Sequence, residues 1–159
     1  MSFPIGLYTL RVSPVAGYGG LYATGNGVDE TVTVAPHSPP FGERQVWNIQ
    51  TVLGKPGAYT ITLQTSGSTF GGHWFPKDAR LIPEVPIITS EKSYEWYIAY
   101  KDTPSVPNTI TIQAQTDIGA GLYATANDKD EVVVISVPVV PDAEAPYWQF
   151  EPVIKHGDL

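Results

Sequence analysis

Three stretches of this chain repeat one another at an interval of about 50 residues, and that period limits the fold more than any single motif does. Tyr8-Thr9-Leu10, Tyr59-Thr60-Ile61 and Ile110-Thr111-Ile112 lie 51 and 51 residues apart. Each alternates large apolar residues with an outward Thr, the signature of a half-buried strand. Trp47-Asn48-Ile49, Trp96-Tyr97-Ile98 and Trp148-Gln149-Phe150 follow at spacings of 49 and 52. Gly20-Leu21-Tyr22, Gly72-His73-Trp74 and Gly121-Leu122-Tyr123 align between them, and Gly-Leu-Tyr-Ala-Thr occurs in full at both 20–24 and 121–125. A fourth apolar segment completes each unit, at 31–34, 85–88 and 132–135.

Four strands in each of three units make twelve, separated by breaks rich in turn residues at 25–27, 36–42, 54–57, 67–72, 103–108, 127–130 and 138–146. Gly and Pro number 15 each, which supplies those turns, and no stretch carries a helical period. Three units are too few for a propeller, and the atypical polar end repeats of an open solenoid are missing. The pattern predicts an all-β chain, a β-trefoil: one domain over 1–159, with repeats of approximately 1–53, 54–105 and 106–155. Tyr8, Tyr59 and Ile110, with Trp47, Trp96 and Trp148, are the expected core layers.

Charge narrows the partners. The net charge is −7, and the thirds of the chain divided near 53 and 105 carry −1, 0 and −6 in chain order. Nucleic acid and anionic membranes both require a basic patch, so neither is expected as a partner. No apolar run approaches the roughly 18 residues of a membrane span. Cys is absent, which excludes disulfides, a thiol nucleophile and cysteine-ligated metal. The first residues lack the basic and apolar regions of a secretory signal, and a cytoplasmic location is the expectation.

Catalytic chemistry finds little support, and the chain is expected not to be an enzyme. His37, His73 and His156 are dispersed without metal-ligand spacing. Ser38 beside His37 is no triad, because neighbouring side chains in an extended loop diverge, and no Gly-x-Ser-x-Gly elbow occurs. Asp128-Lys129-Asp130-Glu131 lacks the sixth-position Gly and twelfth-position Glu of a calcium loop. Neither a metal nor a cofactor is expected. What remains is a scaffold with long loops, the usual form of a recognition module. Two such loops, 13–20 and 36–43, lie in the nearly uncharged first unit and carry Tyr18 and Phe41, the charge-poor, aromatic composition of interface cores. Phe41 equally suits a plug for the barrel bottom, and Gly-Pro loops also simply join hairpins.

Gly19-Gly20-Leu21-Tyr22-Ala23-Thr24, Pro39-Pro40-Phe41-Gly42-Glu43-Arg44-Gln45-Val46-Trp47 and Gly57-Ala58-Tyr59-Thr60-Ile61 together resemble the mycocypin family of mushroom β-trefoil protease inhibitors, its clitocypin branch most of all. The likeness is clearest over about the first 65 residues and thins afterwards to the trefoil pattern and Ala145-Pro146-Tyr147-Trp148-Gln149-Phe150. The resemblance implies reversible steric blockade of papain-like cysteine proteases by a wedge of two loops, here Gly17, Tyr18, Gly19 and Gly20 with Pro39, Pro40 and Phe41. A glycine edge can enter a narrow cleft without presenting a cleavable side chain. A bulky charge at that edge, as in Gly20→Glu, is expected to block the contact and spare the fold.

One departure stands out. The family uses an Asn in the loop after the fifth strand against legumain, and Gln64-Thr65-Ser66-Gly67-Ser68-Thr69-Phe70 holds none. Candidates for a second reactive loop are Asn26, in a sequence that also suits an ordinary Asn-Gly hairpin turn, and Lys129, for a serine protease, with Lys55 and Lys101 behind them. Related mushroom trefoils also act on aspartic proteases. The alternative class is a carbohydrate-binding trefoil lectin. Gln45-Val46-Trp47 matches its Gln-x-Trp motif once, whereas Tyr94-Glu95-Trp96 and Pro146-Tyr147-Trp148 do not, so core packing is the more natural role for this motif.

Overall fold

A computed structural model describes residues 3–12, 20–37, 43–65, 71–101, 106–114, 121–138 and 144–153. They contain β1 (Gly6–Val12), β2 (Leu21–Thr24), β3 (Thr33–Pro36), β4 (Trp47–Thr51), β5 (Ala58–Leu63), β6 (His73–Pro76), β7 (Ile87–Ser90), β8 (Trp96–Tyr100), β9 (Thr109–Ala114), β10 (Gly121–Ala126), β11 (Val132–Val137) and β12 (Trp148–Pro152). The only helical pieces among these residues are two 3-10 turns, Glu43–Gln45 and Lys77–Ala79. Strands β1, β4, β5, β8, β9 and β12 pair antiparallel in a closed ring. Hairpins β2–β3, β6–β7 and β10–β11 cap one end of it. This is the β-trefoil.

The repeat is visible in the register. Tyr8 pairs with Trp47, Tyr59 with Trp96 and Ile110 with Trp148, each inside its own unit. Across units, Val12 faces Trp148, Leu63 faces Trp47 and Ala114 faces Trp96. All three Trp side chains are fully buried, as are Leu10, Ile61 and Ile112 two residues along the partner strands. Burial of each ring removes roughly 150–250 Å² from water, so these positions dominate the core energetics. The cap closes by the same symmetry, with Val34 N–H donating to Asp130 O (2.8 Å), Thr89 N–H to Glu30 O (3.1 Å) and Val134 N–H to Val85 O (3.1 Å).

Three expectations are corrected. The indole N–H groups of Trp47, Trp96 and Trp148 donate to the carbonyls of Ala23, Trp74 and Ala124 at 3.0, 3.1 and 2.9 Å. Trp74 is therefore the equivalent of Ala23 and Ala124, one residue out of step with the alignment of Gly72 on Gly20 and Gly121. A one-residue slip exchanges the two faces of a strand, which is why Trp74 points inward and the half-buried Tyr22 and Tyr123 do not. The fourth strands of the first two units begin two residues later than expected. Thr31 and Pro86 bridge instead to Ile88 and Val133 of neighbouring hairpins. Finally, Asn26-Gly27 is no two-residue hairpin turn, because β2 and β3 are joined by residues 25–32, which reach over to Thr89.

At the other end, Phe3 plugs the barrel. It is 2% exposed and packs on Tyr8, Tyr59, Tyr100 and Phe150 at centroid distances of 4.8, 6.0, 5.9 and 5.0 Å. Tyr59 Oη donates to Phe3 O (2.9 Å) and Tyr8 Oη to Pro4 O (2.8 Å), so two tyrosines of one core layer hold the segment in place.

Candidate functional site

The first unit presents the stems of its two long loops side by side. Residues 13–19 leave β1 and return at Gly20, while residues 38–42 leave His37 and return at the Glu43–Gln45 turn. Gly17, Tyr18, Gly19, Pro39, Pro40 and Phe41 lie outside the described residues. Gly20 is inside them, and it is pressed against the barrel. A Cβ there would fall 1.7 Å from Arg11 Nε and 2.5 Å from Arg11 Cζ, so any side chain requires the Arg11 side chain to move. Gly20→Glu is therefore expected to displace the flexible Arg11 side chain as well as to alter the edge.

Between the stems stands an aromatic pair, Tyr22 and His37, with ring centroids 5.0 Å apart. Below it lies Gln45, whose side chain is fully buried. Gln45 Nε2 donates to Thr24 Oγ1 (3.1 Å), Ala35 O (3.2 Å) and Pro36 O (3.1 Å). Those acceptors fix the orientation of the amide, and its Oε1 sits 2.8 Å from His37 Nδ1. An amide oxygen only accepts, so the imidazole carries its proton on Nδ1. Thr24 Oγ1 in turn donates to Tyr22 O (2.9 Å). Arg44 fastens the same turn to the cap, through Nε to Gly25 O (2.8 Å), Nη2 to Asn26 Oδ1, and its own carbonyl to Gly25 N–H (2.8 Å).

These contacts settle what several predicted residues do locally. Asn26 is exposed, yet its Nδ2 donates to Thr31 O (2.8 Å) and Thr33 Oγ1 (2.9 Å), and its Oδ1 holds Arg44. Its amide braces the loop 25–32. Lys129 is exposed on the β10–β11 turn, which Asn127 Oδ1 closes by accepting from Lys129 N–H (2.9 Å) and Glu131 N–H (3.0 Å). Lys55 is ion-paired with Glu95 at 3.0 Å, and Lys101 Nζ lies 5.9 Å from the centre of the Tyr147 ring. No group of three or more metal-ligating side chains is brought together among the described residues. No helix among them is long and apolar enough to cross a membrane.

His73, the remaining described histidine, belongs to the scaffold. Its Nδ1 is 2.7 Å from Thr62 Oγ1, and burial pushes its pKa below the ordinary value of about 6.5. Because the folded chain binds that proton less readily than the unfolded one, the stabilising contribution is present above the unfolded value and is lost as pH falls through the lower folded value. Urea midpoints are therefore expected to drop between pH 7.5 and 5 in a way that His73→Gln reduces. An equal drop in both proteins would remove His73 as the source.

Two shallow hollows flank Tyr22 on the barrel wall, about 260 Å³ beside His37 and Val46, and about 230 Å³ beside Arg11 and Asn108. Both fall short of the roughly 300–1,000 Å³ usual for a small-molecule site. Among the described residues, the stems of the two loops rest on a base tied together by the Gln45 and Arg44 hydrogen bonds. Sequence reasoning located the loops but missed the Gln45 and Arg44 bracing. The only signal was Gln45 itself, a polar residue two positions before a core Trp, which the sequence associates with core packing rather than with a brace between loops.

The family model described as peptidase inhibitor clitocypin matches residues 6–150. Clitocypin and clitocypin-2 of Clitocybe nebularis are each 37% identical over 90 residues, an alignment covering 54% of this chain and 57% of theirs. The aligned part thus spans little more than half the length of those relatives. Among solved structures, Polyporus squamosus lectin bound to a human-type influenza-binding epitope superposes with a TM-score of 0.67 at 16% identity, covering 95% of this chain and 50% of that one. The Rhizoctonia solani agglutinin gives 0.62 at 16% identity, with 96% and 99% covered. At such identities the likeness is one of fold alone.

Proposed function

Since the chain belongs to the clitocypin peptidase-inhibitor family, we propose that it is a reversible inhibitor of papain-like cysteine proteases, acting by occlusion with the two loops of its first unit. The observation that carries this reading is the family match over 6–150, which includes both loops and both stems. The stems support it physically. Gly20 and the Tyr22–His37 pair sit on a base braced by buried and part-buried hydrogen bonds, and a braced edge loses little entropy on entering a cleft. Blockade of this kind asks no catalytic group of the inhibitor. Any second specificity, toward a serine or aspartic protease, would fall on another loop. Lys129 on its closed, exposed turn is the better placed candidate, since the Asn26 amide is committed to bracing and Lys55 to Glu95.

A panel of papain, legumain, trypsin and pepsin with micromolar inhibitor tests the reading. Papain is expected to lose activity and to recover it on dilution, and legumain is expected to be spared, because 64–70 lacks Asn. Full papain activity at that concentration would overturn the proposal.

A further inference from the structure

Gln45 is fully buried in the turn that precedes β4, where the barrel itself has no use for an amide. The corresponding residues of the other units, two before Trp96 and Trp148, are Tyr94 and Pro146. Tyr94 packs against the rings of Phe75 and Trp96, at 5.8 and 5.1 Å, and carries no amide. Two of the three units therefore complete their barrel strands without the amide, and only the unit with the two long loops contains it.

The contacts of that amide reach each stem. Its Nε2 takes the carbonyls of Ala35 and Pro36, which end β3 and lead into 38–42, while Gln45 itself lies in the turn where that loop returns. Its Oε1 takes His37, whose ring packs at a tilt against Tyr22. Through Thr24 it reaches the carbonyl of Tyr22, in the strand that receives the chain from 13–19. One side chain thus ties together the exit and return of one loop and the return of the other, whatever path the intervening residues take.

We propose that Gln45, with His37, is a positioning residue of the inhibitory edge, setting the separation and angle of the two loop stems while touching no protease itself. This role rests on the reading of the chain as a protease inhibitor. A clasp that holds two loops in their bound relation shortens the search on encounter and, above all, slows release, since differences among related complexes appear mainly in dissociation.

The test uses the full chain, with Gln45→Met, which keeps length and volume but removes every polar contact, His37→Ala, and His37→Asn, whose amide can donate to the same oxygen. Ile98→Ala in β8 serves as a control of lowered stability remote from the loops. Inhibition constants and dissociation rates against papain are measured beside melting temperatures and amide exchange. Gln45→Met is expected to weaken inhibition at least about tenfold, mostly through faster dissociation. Exchange should accelerate at Gly25 and Gln64, whose N–H groups bond to the carbonyls of Arg44 and Val46, but not at Val132. His37→Ala should weaken inhibition less, His37→Asn should restore it in part, and Ile98→Ala should leave it unchanged despite a lower melting temperature. Unchanged inhibition by Gln45→Met while the wild type inhibits would overturn this role alone, as would equal weakening by Ile98→Ala. A wild type that inhibits no protease would overturn the functional reading and this role together, and faster exchange at Gly25 and Gln64 would then identify the clasp as purely structural.

Discussion

Trp74→Ala is expected to cost about 3–5 kcal/mol of stability, the usual range for removing a fully buried large ring. Replacement by Ala would make the three units alike, since Ala23 and Ala124 occupy the equivalent places, so symmetry alone would predict tolerance. Packing predicts the opposite. Trp74 lies against Trp47, Trp96 and Trp148 at 5.6, 6.1 and 5.8 Å, filling the space that two alanines leave near the axis. Its cross-strand partner is Thr89, a residue no larger than the Val that pairs with Ala in the other hairpins, so the paired strand supplies no extra bulk to fill the cavity. Trp74→Phe should cost only a fraction of this. The buried indole N–H has no hydrogen-bond partner among the described residues, so the ring can lose it without breaking a bond. Urea denaturation of both variants checks the pair of expectations. A Trp74→Ala midpoint equal to the wild type would mean that the four-tryptophan cluster contributes little.

Phe41→Ala is expected to weaken papain inhibition by about 2–4 kcal/mol, roughly 30- to 1,000-fold, with the melting temperature nearly unchanged. Aromatic residues dominate the energetics of interfaces, and the sequence left Phe41 two roles, protease contact or plug of the barrel bottom. Phe3 fills the bottom, held by Tyr8 and Tyr59, so the scaffold does not need Phe41 there. The matching control is Phe3→Ala, which should lower the melting temperature and leave the inhibition constant intact at temperatures where the chain is folded. Inhibition that survives Phe41→Ala would move the contact to the glycine loop, and a large stability loss would return Phe41 to the core.

Legibility followed the range of the interactions. The paired positions Tyr8–Trp47, Tyr59–Trp96 and Ile110–Trp148 could be aligned from sequence because alternation of apolar and polar residues is a local property repeated three times. At Gly72-His73-Trp74 the same reasoning slipped by one residue. Gly recurs at the loop–strand junction for its own reasons, and a Trp in place of Ala hides the match. The bracing at Gln45 was out of reach for a different cause: a buried amide and an exposed one have the same letter.

The sequence by itself determined the three units, their four strands, the absence of cysteine and the charge-poor first third, since each is a matter of composition or of period along the chain. Tertiary structure alone decided that Trp74 points inward, that Phe3 closes the barrel, and that Gln45 joins the loop stems. Those depend on which carbonyls and rings lie within a few ångströms after closure. Tyr59 meets Phe3 across 56 positions and Trp148 meets Ala124 across 24, and no local pattern encodes such meetings before the barrel has closed.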